Sequence, residues 1–191
     1  IDRLSWQQAM EHDVEILETL LNELGKVTPE HDLKLQTLKE IIDKKINNPI
    51  NPGNKKFLIF SAFADTANYL YENLHKWLKD KYGINSAMIE GQINKVSLKH
   101  CPKKTNTLLT MFSPISKNRD KVFSWIPSQI ESYKDPKLNW SNKIDKHEYD
   151  DCFEDIDVLI ATDCISEGQN LQDCDMCINY DIHWNPVRIV Q

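Results

Sequence analysis

The sequence is poor in glycine and lacks the arrangement that glycine-rich phosphate sites require. Its five glycines, Gly25, Gly53, Gly83, Gly91 and Gly168, never fall in the spacing of a phosphate-binding loop ending in Gly-Lys-Ser/Thr. No apolar run approaches the roughly 18 residues of a membrane-spanning helix, so no membrane partner is expected. Cysteine is sparse and odd in number, five in 191 residues, without the spacing of a disulfide framework. A chain of this length can bury its own core, so these read as reduced thiols in a cytoplasmic setting. No Met opens the sequence, and Ile1-Asp2-Arg3 has no signal-peptide character, so the chain is expected to begin inside a longer protein. A basic excess is also missing. The net charge of −6 argues against a uniformly basic nucleic-acid binder but leaves room for one basic face. What remains, 40% hydrophobic and 27% charged residues, suits one globular domain with room for an insertion.

Along the chain, Ser5 with Gln8 reads as a capping box before a helix carrying Trp6, Met10, Val14, Leu17, Leu20, Leu21 and Leu24, with Gly25 placed to stop it. Such a stripe usually packs on its own domain, the alternative being a partner-binding helix. Thr28-Pro29 offers a start for a second helix with Leu35, Leu38, Ile41, Ile42 and Ile46 on one face. Residues 47–54 are loop by composition, which makes 1–54 a helical lead-in. Phe57-Leu58-Ile59-Phe60 is a continuously apolar run of the kind buried in a parallel sheet. Asp65 opens a helix that Gly83 ends, and Ser86-Ala87-Met88-Ile89 is a second strand candidate. Asp157-Val158-Leu159-Ile160-Ala161 and Met176-Cys177-Ile178-Asn179-Tyr180 are two more. Strands alternating with helices predict an α/β fold with a mostly parallel sheet, its core in 55–93 and 156–191.

Residues 94–155 form an insertion-bearing segment, with a short helix expected over 103–112. Within it, residues 99–146 hold ten Lys/Arg against four Asp/Glu, with Phe112, Phe123, Trp125, Tyr133 and Trp140 interleaved. This composition fits an accessory nucleic-acid surface with stacking aromatics. The favoured alternative is a small insertion core with a charged wet face, because aromatic residues more often fill cores. The acidic cluster Glu148, Asp150, Asp151, Glu154, Asp155 and Asp157 limits how far a phosphate-binding surface can extend. Cys174 and Cys177 have C-x-x-C spacing, but the second lies in a strand and no other pair matches it, so no metal site is expected. Cys164 and His183 lack a third orienting group for nucleophilic catalysis.

In an open parallel sheet, ligands gather at the carboxyl ends of the strands. The richest such end is Ala161-Thr162-Asp163-Cys164-Ile165-Ser166-Glu167-Gly168-Gln169-Asn170-Leu171. Here a buried strand runs into hydroxyls, an amide and a glycine that permits close backbone approach. Thr162 and Ser166 can donate to phosphate oxygens and Asn170 to a sugar hydroxyl. These residues can also do no more than cap a strand-to-helix turn, and chemistry alone leaves both readings open.

That stretch resembles motif V of superfamily 2 helicases, in the wording of the bacterial Swi/Snf-type branch. Other segments follow in family order. Residues 57–63 resemble motif IV, and Ile89-Glu90-Gly91 resembles the loop after the next strand. Residues 109–114 are similar to the helix end that precedes motif V. Asn179-Tyr180-Asp181 with Trp184-Asn185-Pro186 and Gln191 resembles the run into motif VI. The resemblance implies the second RecA-like domain of a nucleic-acid-dependent ATPase, a three-layer α/β domain that closes on ATP held by a first domain. By position, Ser61, Ala62, Gly91, Thr162, Asp163 and Ser166 then face nucleic acid, with double-stranded DNA the implied partner. Glu167, Gly168, Asn170 and Gln191 face ATP between the domains.

The sequence departs from the complete family pattern in what it omits. The arginines that follow the motif VI glutamine, a phosphate loop and an acidic pair to hold Mg2+ are all absent. The fragment is therefore expected to hold no catalytic residue and not to hydrolyse ATP alone; ATP and Mg2+ belong to the longer parent. The rival reading is a stand-alone α/β interaction module.

Overall fold

The computed structural model describes residues 2–91, 93–123, 151–165 and 168–181. Within them the chain divides into two compact units, Ile1–Lys44 and Lys45–Gln191.

In the first unit, helix α1 spans Arg3–Leu24. Its cap is Asp2, whose Oδ1 accepts from Leu4 N at 3.1 Å and Ser5 N at 3.4 Å, so the expected Ser5–Gln8 box is corrected by three residues. A carboxylate is the better partner for the positive helix end. The helix contributes no buried residue, and Trp6, Leu17 and Leu21 are 65%, 63% and 70% exposed. The expectation that this stripe packs into its own domain is thus not met. Helical spacing sets which residues share a face, but long-range contacts decide whether that face is covered. Helix α2, Leu33–Asn47, starts later than Thr28-Pro29 suggested, because Asp32 Oδ1 accepts from Leu35 N at 3.0 Å and makes the cap. Its stripe is buried at Leu35, Leu38 and Ile42.

The second unit is built on a five-stranded sheet: β1 Phe57–Phe60, β2 Ser86–Ile89, β3 Asn94–Val96, β4 Val158–Ala161 and β5 Met176–Asn179. The spatial order is β3-β2-β4-β1-β5, parallel throughout except β3, which runs antiparallel to β2. The architecture is mixed α/β and mostly parallel, as the strand-helix alternation requires, and it suits a RecA-like domain. Helix α3, Ala64–Tyr82, crosses from β1 to β2 and packs on β2 and β4 through residues that include Leu70, Leu74 and Leu78. It ends at Gly83, whose φ of +68° is the left-handed cap that glycine adopts cheaply.

Helix α4, Thr105–Phe112, supplies Leu108, Leu109, Met111 and Phe112 to a core cluster with Leu58, Ala87, Ile89, Leu159 and Ala161. Strand alternation sends Phe57, Ile59, Met88, Val158 and Ile160, all fully buried, to the opposite sheet face. The sequence showed no signal for β3 or for the short helix α5, Arg119–Val122. β3 has three residues and no apolar alternation, so pairing with β2 alone defines it. Trp125, Tyr133 and Trp140 lie outside the described residues.

Candidate functional site

The register of the sheet determines where the candidate residues gather. Phe60 lies opposite both Ala161 and Asn179, and Ile89 lies opposite Ala161, so four parallel strands end in one row. At normal strand spacing that row is roughly 14 Å long. Three backbone hydrogen bonds extend the ladders one residue further: Ser61 N to Ala161 O at 2.9 Å, Thr162 N to Ile89 O at 3.2 Å and Tyr180 N to Phe60 O at 2.8 Å. Four loops therefore leave the sheet side by side, bringing Ser61, Ala62, Gly91, Thr162 and Asp163 to one edge.

The residues differ in what they can offer there. Ser61 is buried at 2% exposure. Its hydroxyl donates to Asp181 Oδ2 at 2.7 Å and accepts from Phe63 N at 3.2 Å. Ala62 N donates to the same Asp181 oxygen at 3.2 Å. Both donors of this loop are thus engaged within the protein. Gly91 is exposed, and its φ of +99° is a conformation that side-chain-bearing residues rarely adopt. A Cβ there would meet Cys164 Cβ at an ordinary 3.5 Å, so the backbone angle and not space calls for glycine. Thr162 is nearly buried at 9% exposure, and its Oγ1 donates to Cys164 Sγ at 3.3 Å. Asp163 opens a 3-10 turn over Asp163–Ile165 and is exposed, while Ile165 enters the core. Ser166 and Glu167 lie outside the described residues.

Gly168 is exposed at a φ of +71° with no atom within 4 Å of a notional Cβ, which leaves open space for a ligand to approach the backbone. Asn170 is exposed, and its Oδ1 accepts from Gln172 N at 3.4 Å. The stretch just beyond is tied to the turn after α4. Lys117 Nζ donates to Gln169 Oε1 at 2.6 Å. Asp173 accepts from Ile115 N at 2.8 Å, from Ser116 N at 3.0 Å and from the Ser116 hydroxyl. Gln191 lies outside the described residues. Among the described residues, no cluster of three His, Cys, Asp or Glu side chains stands in metal-binding geometry. Cys174 and Cys177 are free thiols whose pKa burial pushes up, which disfavours thiolate chemistry.

Sequence reasoning overlooked three anchoring groups: Asp181 on Ser61 and Ala62, Asp173 on Ile115 and Ser116, and Lys117 on Gln169. Their partners lie 120, 58 and 52 residues away, and no local pattern signals such a pairing.

Comparison with known proteins bears on the same stretch. The family model described as helicase conserved C-terminal domain matches residues 141–191. A Bacillus subtilis (strain 168) protein, described as uncharacterized ATP-dependent helicase YqhH, is 58% identical over 36 residues, covering 19% of this chain. That match spans 6% of the length of the Bacillus protein, so this chain corresponds to a small part of it. With the mostly parallel sheet and its row of loops, the two matches support a helicase C-terminal domain.

Proposed function

We propose that the chain is the second RecA-like motor domain of a Swi/Snf-type superfamily 2 ATPase that moves on double-stranded DNA in the cytoplasm. In this reading the domain grips the nucleic-acid backbone and completes an ATP site whose phosphate loop and Mg2+ ligands belong to a first RecA-like domain of the same polypeptide. Ser61, Ala62, Gly91, Thr162, Asp163 and Ser166 serve the nucleic-acid side. Glu167, Gly168, Asn170 and Gln191 serve the nucleotide side. The observation that carries the reading is the common row of strand ends, which sets Thr162 on Ile89 and Cys164 against Gly91, only a few residues before Gly168 and Asn170. One loop can then answer to two ligands.

The described residues fit a nucleotide's edge. Gly168 leaves its backbone open, and Asn170 presents an exposed amide. When ATP is bound between two such domains, cleavage of its terminal phosphate supplies the free energy for the motion. This chain's own part is to bind, to orient and to transmit strain, since domain closure and opening shift its grip on the backbone.

The test compares ATPase rates of the longer parent, with and without duplex DNA, against this chain alone. DNA-stimulated turnover in the parent and none in the fragment is the expected result. A parent with no ATPase activity on any nucleic acid would overturn the motor reading and leave an interaction module.

A further inference from the structure

We infer that Asp181 is a positioning residue that latches the loop after β1, so that Ser61 and the Ala62 amide serve nucleic-acid binding through this carboxylate and not by touching phosphate. This inference deepens the motor reading and rests on it.

The geometry supports the assignment from both sides. β1 and β5 are parallel neighbours in register, and the bond from Tyr180 N to Phe60 O brings the next residues of each chain segment together. A single oxygen, Asp181 Oδ2, accepts the Ser61 hydroxyl at 2.7 Å and the Ala62 amide at 3.2 Å. Ser61 is 2% exposed, so its hydroxyl has no open path to a phosphate while this contact stands. The loop leads directly into α3, whose N-cap, Phe63, offers no side-chain acceptor. Asp181 therefore anchors the loop ahead of the helix, whose own first turn carries Asp65. A charge-assisted bond to a buried hydroxyl is among the stronger hydrogen bonds a protein makes. Its loss leaves the Ser61 hydroxyl only the Phe63 carbonyl, 3.0 Å away, and takes from the Ala62 amide the carboxylate it donates to.

The latch also joins two functional halves. On one side is the motif IV-like loop, and on the other is the strand that leads in sequence to Asn185 and Gln191. Movement of β5 relative to β1 would therefore pull on the loop after β1 through one carboxylate.

The experiment uses the longer ATPase that contains this chain, titrated with duplex DNA, in wild-type, Asp181→Asn, Ser61→Ala and doubly substituted forms. Asp181→Asn keeps the shape and removes the charge. It is expected to raise the DNA concentration for half-maximal stimulation about tenfold, an effect on that concentration and not on the DNA-saturated rate. Ser61→Ala should shift the same concentration in the same direction. The double variant should be no worse than the poorer single one, because both act on the same contact, one by removing its charge and the other its donor. Singles that leave the half-maximal concentration at its wild-type value, or effects that add in the double variant, would overturn the latch. A wild-type protein that no nucleic acid stimulates refutes the motor reading and the latch together. A stimulated wild type with unresponsive variants refutes the latch alone.

Discussion

Removing the carboxylate of Asp175 should destabilise the second unit strongly. Asp175 and Lys45 form an ion pair with side chains 0% and 2% exposed. The carboxylate also accepts from Ile50 N at 3.1 Å, Asn51 N at 3.3 Å and the Asn51 side-chain amide, while Lys45 Nζ donates to Asn54 O at 2.9 Å. Burial alone would raise the Asp175 pKa, but the Lys45 ammonium and the Asn51 donors outweigh it and hold the carboxyl below its usual range. Asp175→Ala leaves a buried ammonium and three amide donors facing a void. Breaking a buried pair from one side costs about 3–5 kcal/mol. The cover here is the thin loop around Asn48, Ile50 and Asn51, whose outer side is exposed, so about 3 kcal/mol is the better figure.

Urea denaturation of the chain at pH 7, followed by far-UV circular dichroism, measures the loss. Its pH dependence supplies a second check. A carboxyl with a depressed native pKa contributes stability above its unfolded value of about 3.9 and loses it as pH falls through the native one. The gap between wild type and Asp175→Asn should therefore narrow below about pH 4. A loss under about 1 kcal/mol at pH 7, or a gap that stays constant with pH, would refute the account.

Two further outcomes follow from the same physics. Burial pushes the Asp157 carboxyl up, an effect that the nearby Lys56 only partly opposes. A raised carboxyl contributes most below its unfolded pKa and loses that contribution as pH rises, so Asp157→Asn should raise the urea midpoint at pH 7 and lose its advantage near pH 3. Gly91→Ala places a side chain at a φ of +99° with only ordinary contact to Cys164, so about 1–3 kcal/mol of strain should appear as a lower melting temperature; an unchanged melting curve would count against the strain assignment.

Local chemistry made the sheet legible. Phe57 to Phe60, Ser86 to Ile89, Val158 to Ala161 and Met176 to Asn179 are short apolar runs separated by helix-length or loop-rich stretches. Burial along the first three leaves such a run little alternative to a parallel strand, whereas Met176–Asn179, expected as a buried strand, lies at the sheet edge with Cys177 and Asn179 exposed. Gly83 as a helix stop was readable for a similar reason, since only glycine takes a left-handed cap without cost. Helix starts were less legible. Ser5 and Thr28 have the right chemistry, but Asp2 and Asp32 have it more strongly, and competition among neighbouring caps is settled by small differences.

What the sequence by itself determined is thus the α/β class, the strand ends and the chemical character of the loop after Ala161, all products of residue type and short-range period. Tertiary structure alone decided which loops stand together. The common register aligns Phe60, Ile89, Ala161 and Asn179, and without it Ser61, Gly91 and Thr162 are merely distant polar residues. It also decided that Ser61 faces a carboxylate 120 positions away, that Asp173 holds the turn after α4, and that the apolar stripe of α1 is left uncovered. Each depends on a contact whose partner lies far along the chain, and a residue's own neighbours carry no record of such a contact.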